Sequence, residues 1–110
     1  MPRLLSAGEV SDGLEKLKGW TAEGDFISKA YEFKTFMDGI EFVNDVAAVA
    51  EKLEHHPDIG IRYTHITLSL QTHSAGGVTN WDLQLAKAID ALGGKPSKPS
   101  PGSTGKRKSR

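Results

Sequence analysis

The segment from Thr35 to Pro57 constrains the fold most, because it predicts one long amphipathic helix with a defined start and end. Thr35 and Asp38 have the spacing of a capping box, in which a hydroxyl and an acid satisfy the first backbone amides. Pro57 disfavours helical backbone at the preceding residue, so the helix must end between Glu54 and His56. Two adjacent apolar rows predict a broad buried face. The first row is Ile40, Val43, Ala47 and Ala50, and the second is Phe42, Val46, Val49 and Leu53.

The segment from Tyr63 to His73 predicts a β-strand, because apolar and polar residues alternate along it. If the strand is regular to its end, His73 points away from the apolar face. A shorter extended piece is predicted around Gly60, between the long helix and this strand. The apolar face holds Ile66, Leu68 and Leu70, and the polar face holds His65, Thr67, Ser69, Gln71 and His73.

The first third of the chain predicts a helix followed by a hairpin. Ser6 can cap a short helix that runs to about Leu17. Residues 20–23 and 26–34 then flank a Gly-Asp pair, and the second of these segments alternates between apolar and polar residues. This arrangement is typical of two antiparallel strands joined by a tight turn.

The last predicted helix completes the fold. Thr79 and Asp82 form a second capping box, which opens a helix through Leu92. The order of elements is then α-β-β-α-β-β-α. This order predicts an α+β fold, a two-layer sandwich in which the helices cover one face of a four-stranded antiparallel sheet.

The charges divide the chain into two parts near residue 94. Residues 95–110 hold six of the 14 basic residues and no acid, which leaves eight basic against 14 acidic residues, a charge of about −6, in residues 1–94. An acidic body is a poor general binder of nucleic acid. The basic segment is rich in Pro, Ser and Gly, so we predict one domain over residues 1–94 and a disordered tail over residues 95–110.

Composition narrows the class of protein further. A chain of 110 residues with 37% hydrophobic content can bury one modest core, which oligomerisation would help to stabilise. Cysteine is absent, which excludes a disulfide framework and thiol-based metal or redox sites. The N-terminus has no apolar run long enough for a secretion signal or a membrane span. We therefore expect a soluble cytoplasmic protein.

All four histidines lie between residues 51 and 82. His55 and His56 are adjacent at the predicted helix end, and His73 is at the predicted strand end, so the three could converge on one pocket. Imidazole gives and takes protons near neutral pH, which would make such a pocket suited to acid–base chemistry. His65 lies within the strand and is predicted to be solvated.

The sequence also permits other roles for these histidine and acidic residues. Glu51 and His55 are four residues apart on a helix and could share a metal, with His56 or His73 as a further ligand, but the spacing is generic. A histidine could instead cap the C-terminus of the long helix. The capping box by itself explains Asp82.

Two further site types have less support. The Gly-Gly pair at residues 76–77 could bind an anion at the start of the last helix, although a tight turn that leads into a capped helix is the better explanation. A nucleophilic serine is disfavoured, because the chain has no GxSxG elbow.

The spacing of the site candidates resembles the signature of the pterin-4a-carbinolamine dehydratases. The resemblance rests on Glu51, the His55-His56-Pro57 run, Tyr63, His73 and Asp82 at their intervals. The stretches AEKLEHHP, ITLSLQTH and AGGVT, together with Trp20 and the Phe33-x-x-Phe36 step, are also similar to that family. The resemblance extends over roughly residues 6–92.

The resemblance implies an enzyme that removes water from a 4a-hydroxytetrahydropterin to give the quinonoid dihydropterin. The substrate would come from an aromatic amino-acid hydroxylase, and the reaction would need neither metal nor cofactor. His55 and His73 would be the proton donors and acceptors, and His56 would bind the pterin. Pro57, Thr72, Ser74 and Ala75 would line the pocket, partly through backbone groups, and Glu51 and Asp82 would be supporting residues.

The resemblance also implies a homodimer or homotetramer. One position departs from the common pattern, because Ile59 stands where many members have tryptophan, which puts an aromatic wall against the ligand in doubt. The alternative function is a non-catalytic binding or assembly module, or a dimerisation cofactor, on the same fold. In that case the basic tail would be its docking element.

Overall fold

The computed structural model describes residues 2–94, so the predicted basic tail lies outside the described residues. The elements follow the predicted order, and the α+β fold class is confirmed. They are α1 (Ala7–Leu14), β1 (Thr21–Glu23), β2 (Phe26–Glu32), α2 (Phe36–Leu53), β3 (Asp58–Arg62), β4 (His65–Leu70), a 3-10 helix (His73–Ala75) and α3 (Asn80–Asp90). The strands pair antiparallel in the order β1-β2-β4-β3. Within residues 2–94, no helix is long and apolar enough to cross a membrane.

The helices begin where their capping residues predict. The hydroxyls of Ser6, Thr35 and Thr79 each accept a hydrogen bond from a backbone amide in the first turn of α1, α2 and α3. The long helix ends at Leu53, because Glu54 takes a left-handed conformation with φ 56° just before the His-His-Pro run. The other two helices are shorter than predicted, since α1 ends at residue 14 and α3 at residue 90.

Two tight turns close the hairpins of the sheet. Gly24, with φ 65°, turns the chain between β1 and β2 as predicted, although β2 ends at Glu32, two residues early. The second turn was not predicted. Tyr63 has φ 53° and lies with Thr64 between the paired ends of β3 and β4, so the strand begins after Tyr63 rather than at it.

The predicted strand end at His73 is also wrong. β4 ends at Leu70, because its pairing with β3 reaches only Ser69 and its pairing with β2 only Leu70. The chain then turns, and the Thr72 amide donates to the Gly77 carbonyl oxygen at 2.8 Å. His73 consequently opens a 3-10 helix inside this closed loop. Residue alternation continues through positions 71–73, so it could not reveal where the partner strands end.

The core lies between the sheet and the three helices. The side chains of Ile27 and Tyr31 from β2 are fully buried there. The sheet's inner face also holds the predicted apolar row of β4, and the helices cover it with fully or nearly fully buried residues. These residues are Ile66, Leu68 and Leu70 from β4, Phe42 and Val46 from α2, and Leu85, Ala86 and Ile89 from α3.

The buried face of α2 is narrower than the predicted double row. Gly39, Phe42, Val46 and Ala50 are buried at spacings of three and four residues, and they mix members of both rows. Ala47 is exposed, and the predicted core residue Leu53 is 42% exposed. One sheet covers only one side of this helix in the single chain, which leaves the flanking apolar residues at the rim.

The outer face of the sheet is polar, as the alternation of β4 predicts. His65 is exposed there, and its Nε2 lies 3.6 Å from the Glu32 carboxylate of the neighbouring strand. The interpretation of His65 as a solvated strand residue is therefore consistent with its position.

A second polar cluster lies at the C-terminal end of α3, where Asp90 accepts bonds from three side chains. The Tyr31 hydroxyl donates to Oδ1 at 2.6 Å, the Lys29 ammonium to Oδ1 at 3.0 Å, and the Trp20 indole to Oδ2 at 3.1 Å. Lys29 Nζ also donates to the Lys18 carbonyl oxygen at 2.9 Å. Burial, reinforced by the bond to Asp90, raises the pKa of Tyr31 well above its usual value. The cluster joins α3 to β2 and to the loop before β1.

We expect Asp90→Ala to lower the free energy of unfolding by about 3 kcal/mol, because it leaves the buried Lys29 ammonium unpaired. The matched control is Glu32→Ala, which removes a carboxylate from a largely exposed pair and should cost less than about 1 kcal/mol. Urea denaturation of both variants measures the difference. Equal losses would contradict the role assigned to the Asp90 cluster.

Candidate active site

The site is organised around Asp82, a carboxylate with no exposed surface at the start of α3. The helix begins there because Thr79 has extended backbone and Asp82 follows three residues later, which forms the predicted capping box. The Thr79 amide donates to Asp82 Oδ2 at 2.9 Å. The second oxygen of the carboxylate is free of this cap and faces residues from other parts of the chain.

Asp82 also contacts the end of α2 and the loop after β4. Its Oδ1 lies 2.5 Å from His55 Nε2, and its Oδ2 accepts a bond of 2.9 Å from the Thr72 hydroxyl. Thr72 is 3% exposed. A buried carboxylate must be balanced by donors, and His55 and Thr72 supply them from 27 and 10 residues earlier in the chain.

His55 is held in place by its backbone and by its ring. The left-handed Glu54 reverses the chain, and the His55 amide then donates to the Ala50 carbonyl oxygen at 3.1 Å. The ring is only 12% exposed and meets the Trp81 ring edge-on, with centroids 5.7 Å apart and planes at 66°. His55 is thus a largely buried imidazole held between a carboxylate and an aromatic ring.

His56 turns to a different partner. Its Nε2 lies 2.7 Å from Glu51 Oε2, and the two side chains are 61% and 76% exposed. Glu51 therefore pairs with His56, whereas the metal hypothesis required it to share a ligand face with His55. Within residues 2–94, no three histidine, aspartate or glutamate side chains are grouped so that they could hold a metal ion.

His73 lies in the loop that follows β4. It is exposed, and it directly follows Thr72, whose hydroxyl is 3.5 Å from His55 Nε2. We find no hydrogen bond from the His73 ring to another described residue. Ser74 is exposed and Ala75 half-buried in the same loop. Convergence of the three histidine rings on one substrate stays a prediction.

Two residues of this region were not predicted to belong to it. Thr79 was identified only as a helix cap, yet its hydroxyl also lies 2.8 Å from that of Thr72. Trp81 is 44% exposed beside His55 and had no role in the sequence analysis. A tryptophan at the second position of the helix, which usually faces solvent, was the only signal available.

The fold and this site define a class of protein, a small α+β domain in which a buried carboxylate braces a histidine. A family model described as pterin 4 alpha carbinolamine dehydratase matches residues 3–92. The chain therefore belongs to the pterin-4-alpha-carbinolamine dehydratase family.

Individual relatives agree with this assignment. A Mycobacteroides abscessus protein, provisionally named a pterin-4-alpha-carbinolamine dehydratase, is 46% identical over 92 residues, which span 84% of this chain and 98% of that protein. A Sulfurisphaera tokodaii protein with the same provisional name is 41% identical over 88 residues, or 80% of this chain and 95% of that protein.

Two solved structures share the fold. The crystal structure of a transcriptional coactivator/pterin dehydratase from Brucella melitensis has a TM-score of 0.79 and 33% identity, and the match covers 82% of this chain and 98% of that one. A pterin dehydratase-like protein described as a RuBisCO assembly factor in the alpha-carboxysome has a TM-score of 0.56 and 22% identity, with 69% and 88% covered. The second likeness shows the fold alone.

We expect Asp82→Ala to lower the free energy of unfolding by about 3 kcal/mol, because at least two buried donors lose their acceptor. Glu51→Ala also removes a carboxylate bound to a histidine, but both groups are exposed, so it should cost less than about 1 kcal/mol. Urea denaturation distinguishes the two. A loss of stability in Glu51→Ala as large as in Asp82→Ala would contradict this account.

Proposed function

We propose that the protein catalyses the dehydration of a 4a-hydroxytetrahydropterin to the quinonoid dihydropterin. The observation that carries the proposal is the His55 ring, braced by buried Asp82, in a chain of the pterin-4-alpha-carbinolamine dehydratase family. The carboxylate orients the imidazole and stabilises its protonated form, as a general acid–base requires. The proposed place of this reaction is tetrahydrobiopterin recycling in the cytoplasm, after an aromatic amino-acid hydroxylase.

The reaction needs few chemical groups. A proton must reach the departing C4a hydroxyl, and another must leave N5, so two positioned imidazoles suffice. We assign these steps to His55 and His73, and we assign His56, supported by Glu51, to binding the pterin. The exposure of His56 and His73 supports this assignment, since both rings are accessible to a small molecule.

The residues around the histidines are proposed to contact the substrate. Pro57, Ser74 and Ala75 would do so from the two chain segments next to His55, whereas the Thr72 hydroxyl is committed to the buried network. Ile59 has no aromatic ring to offer the substrate, and its side chain is half-buried against the core. Trp81 can replace that surface, because it is exposed beside His55 and a flat pterin ring stacks well on an indole.

A non-catalytic assembly module is the second candidate function. The fold-level likeness to a RuBisCO assembly factor supports it, because it shows that this fold is found in a protein with an assembly role. The fully formed His55–Asp82 pair favours the enzyme, since a module that only binds a protein partner has no need of a braced imidazole. A dimer or tetramer is proposed for either function.

The test is the rate at which 4a-hydroxytetrahydropterin is lost, followed by absorbance with and without protein. We expect the wild type to accelerate the loss and a double variant, His55→Ala with His73→Ala, to be slower by roughly a hundredfold or more. His65→Ala is the matched control, because His65 lies on the outer sheet face, and it should keep wild-type activity. Equal rates for wild type and double variant would reject the catalytic function.

Binding at Trp81 can be tested apart from catalysis. We expect Trp81→Ala to weaken binding of a dihydropterin product analogue by about tenfold, since stacking on an aromatic side chain contributes about 1–3 kcal/mol per base. Trp81→Phe keeps an aromatic face and should lose much less. Isothermal titration calorimetry measures both. Unchanged affinity in Trp81→Ala would show that the pterin does not stack on this residue.

A further inference from the structure

The Asp82 carboxylate belongs to a continuous chain of hydrogen bonds that includes two buried hydroxyls. The Thr79 and Thr72 hydroxyl oxygens are 2.8 Å apart, and Thr72 lies 2.9 Å from Asp82 Oδ2. Thr79 has no exposed surface and Thr72 is 3% exposed, so water does not compete for these bonds. Asp82 Oδ1 then connects the chain to His55 Nε2.

The number of protons available determines the direction of each bond. A hydroxyl has one proton to donate, and a carboxylate only accepts. Asp82 therefore takes the Thr72 proton, and Thr72 must in turn accept the proton of Thr79. The Thr79 oxygen accepts the Trp81 amide at 3.1 Å. This bond does not use the Thr79 hydroxyl proton, which Thr79 can therefore donate to Thr72. All hydroxyl protons of the chain are used in this arrangement.

This direction leaves only one place for the proton of a neutral His55 ring. Both groups near Nε2 are acceptors, since Asp82 Oδ1 is a carboxylate oxygen and the proton of Thr72 is already donated. Nε2 must therefore carry the hydrogen, and the lone pair of the neutral ring is on Nδ1. The bond made by one ring nitrogen commonly sets the tautomer in this way.

The other nitrogen of the ring is open to a substrate. Among the described residues, Nδ1 of His55 has no hydrogen-bond partner. No buried side-chain nitrogen or oxygen in the described part of the chain lacks a partner, so Nδ1 is reached by solvent. His55 is thus divided into a nitrogen fixed by the protein and a nitrogen free to exchange protons.

We propose that Thr72 is a positioning residue whose buried hydroxyl holds Asp82, so that His55 keeps its proton on Nε2 and exchanges protons with substrate through Nδ1. Thr72 is itself fixed, because its amide and carbonyl close the loop with Gly77 and Ala75. Loss of its hydroxyl leaves the Thr79 proton without an acceptor and Asp82 Oδ2 with one donor fewer. The catalytic part of this inference rests on the proposed function, whereas the tautomer does not.

The tautomer is measured by long-range proton–nitrogen correlation spectra of the imidazole rings, with His55 assigned by its absence in His55→Ala. We expect neutral His55 of the wild type to be protonated on Nε2. Thr72→Val, which keeps the shape and removes the hydroxyl, should show a mixture of tautomers, and Thr72→Ser should restore the wild-type spectrum. Thr67→Val is the matched control, because Thr67 is exposed on the outer face of β4.

The kinetic readout separates positioning from binding. We expect Thr72→Val to lower kcat by about tenfold with little change in KM, and Thr72→Ser and Thr67→Val to stay near the wild type. Neutral wild-type His55 protonated on Nδ1, or a Thr72→Val variant with both the wild-type tautomer and the wild-type kcat, would overturn the inference. If the wild type has no dehydratase activity, the proposed function fails, and the tautomer spectra of wild type and Thr72→Val still decide the assignment of Nε2 and the role of the Thr72 hydroxyl.

Discussion

A buried carboxylate is the constraint on which the site depends. Asp82 has no exposed surface, so the fold must bring donors to it or bear the cost of an unpaired charge in the interior. The donors come from three separate parts of the chain: the cap of α3, the loop after β4 and the end of α2. The same contacts that satisfy the carboxylate also position His55. Stability and the proposed chemistry therefore depend on one group.

The two ends of α3 are held in comparable ways but with different consequences. At its start, Asp82 is bound by a hydroxyl, an amide and an imidazole, and of these groups an imidazole is the one that exchanges protons readily near neutral pH. At its end, Asp90 accepts hydrogen bonds from Trp20, Lys29 and Tyr31, and these bonds hold the helix against β2 and the loop before β1. With both ends fixed to the sheet or its loops, α3 is a rigid support for the site. A rigid support is what a precisely oriented imidazole requires.

Local rules account for most of the fold that could be predicted. The starts of the helices follow from hydroxyl caps, and the end of α2 follows from Pro57, because both effects act within a few residues. The errors arise where the limit is set by another part of the chain. β4 stops at Leu70 because its pairing with β3 and β2 ends at Ser69 and Leu70, and the buried stripe of α2 is narrow because only one sheet covers it. Lys29 is buried on the core face only because Asp90, 61 residues later, is there to pair with it.

The sequence by itself determined the order of elements, the helix caps, the acidic charge of residues 1–94 and the spacing of histidines that carries the family resemblance. These are properties of neighbouring residues or of fixed intervals along the chain. Only the tertiary structure decided that Asp82 is both cap and partner of His55, that Glu51 belongs to His56, and that Trp81 lies beside the site. The physical reason is that a side chain's hydrogen-bond partner is chosen by distance and burial after the chain has folded, and neither quantity can be read from separation along the sequence.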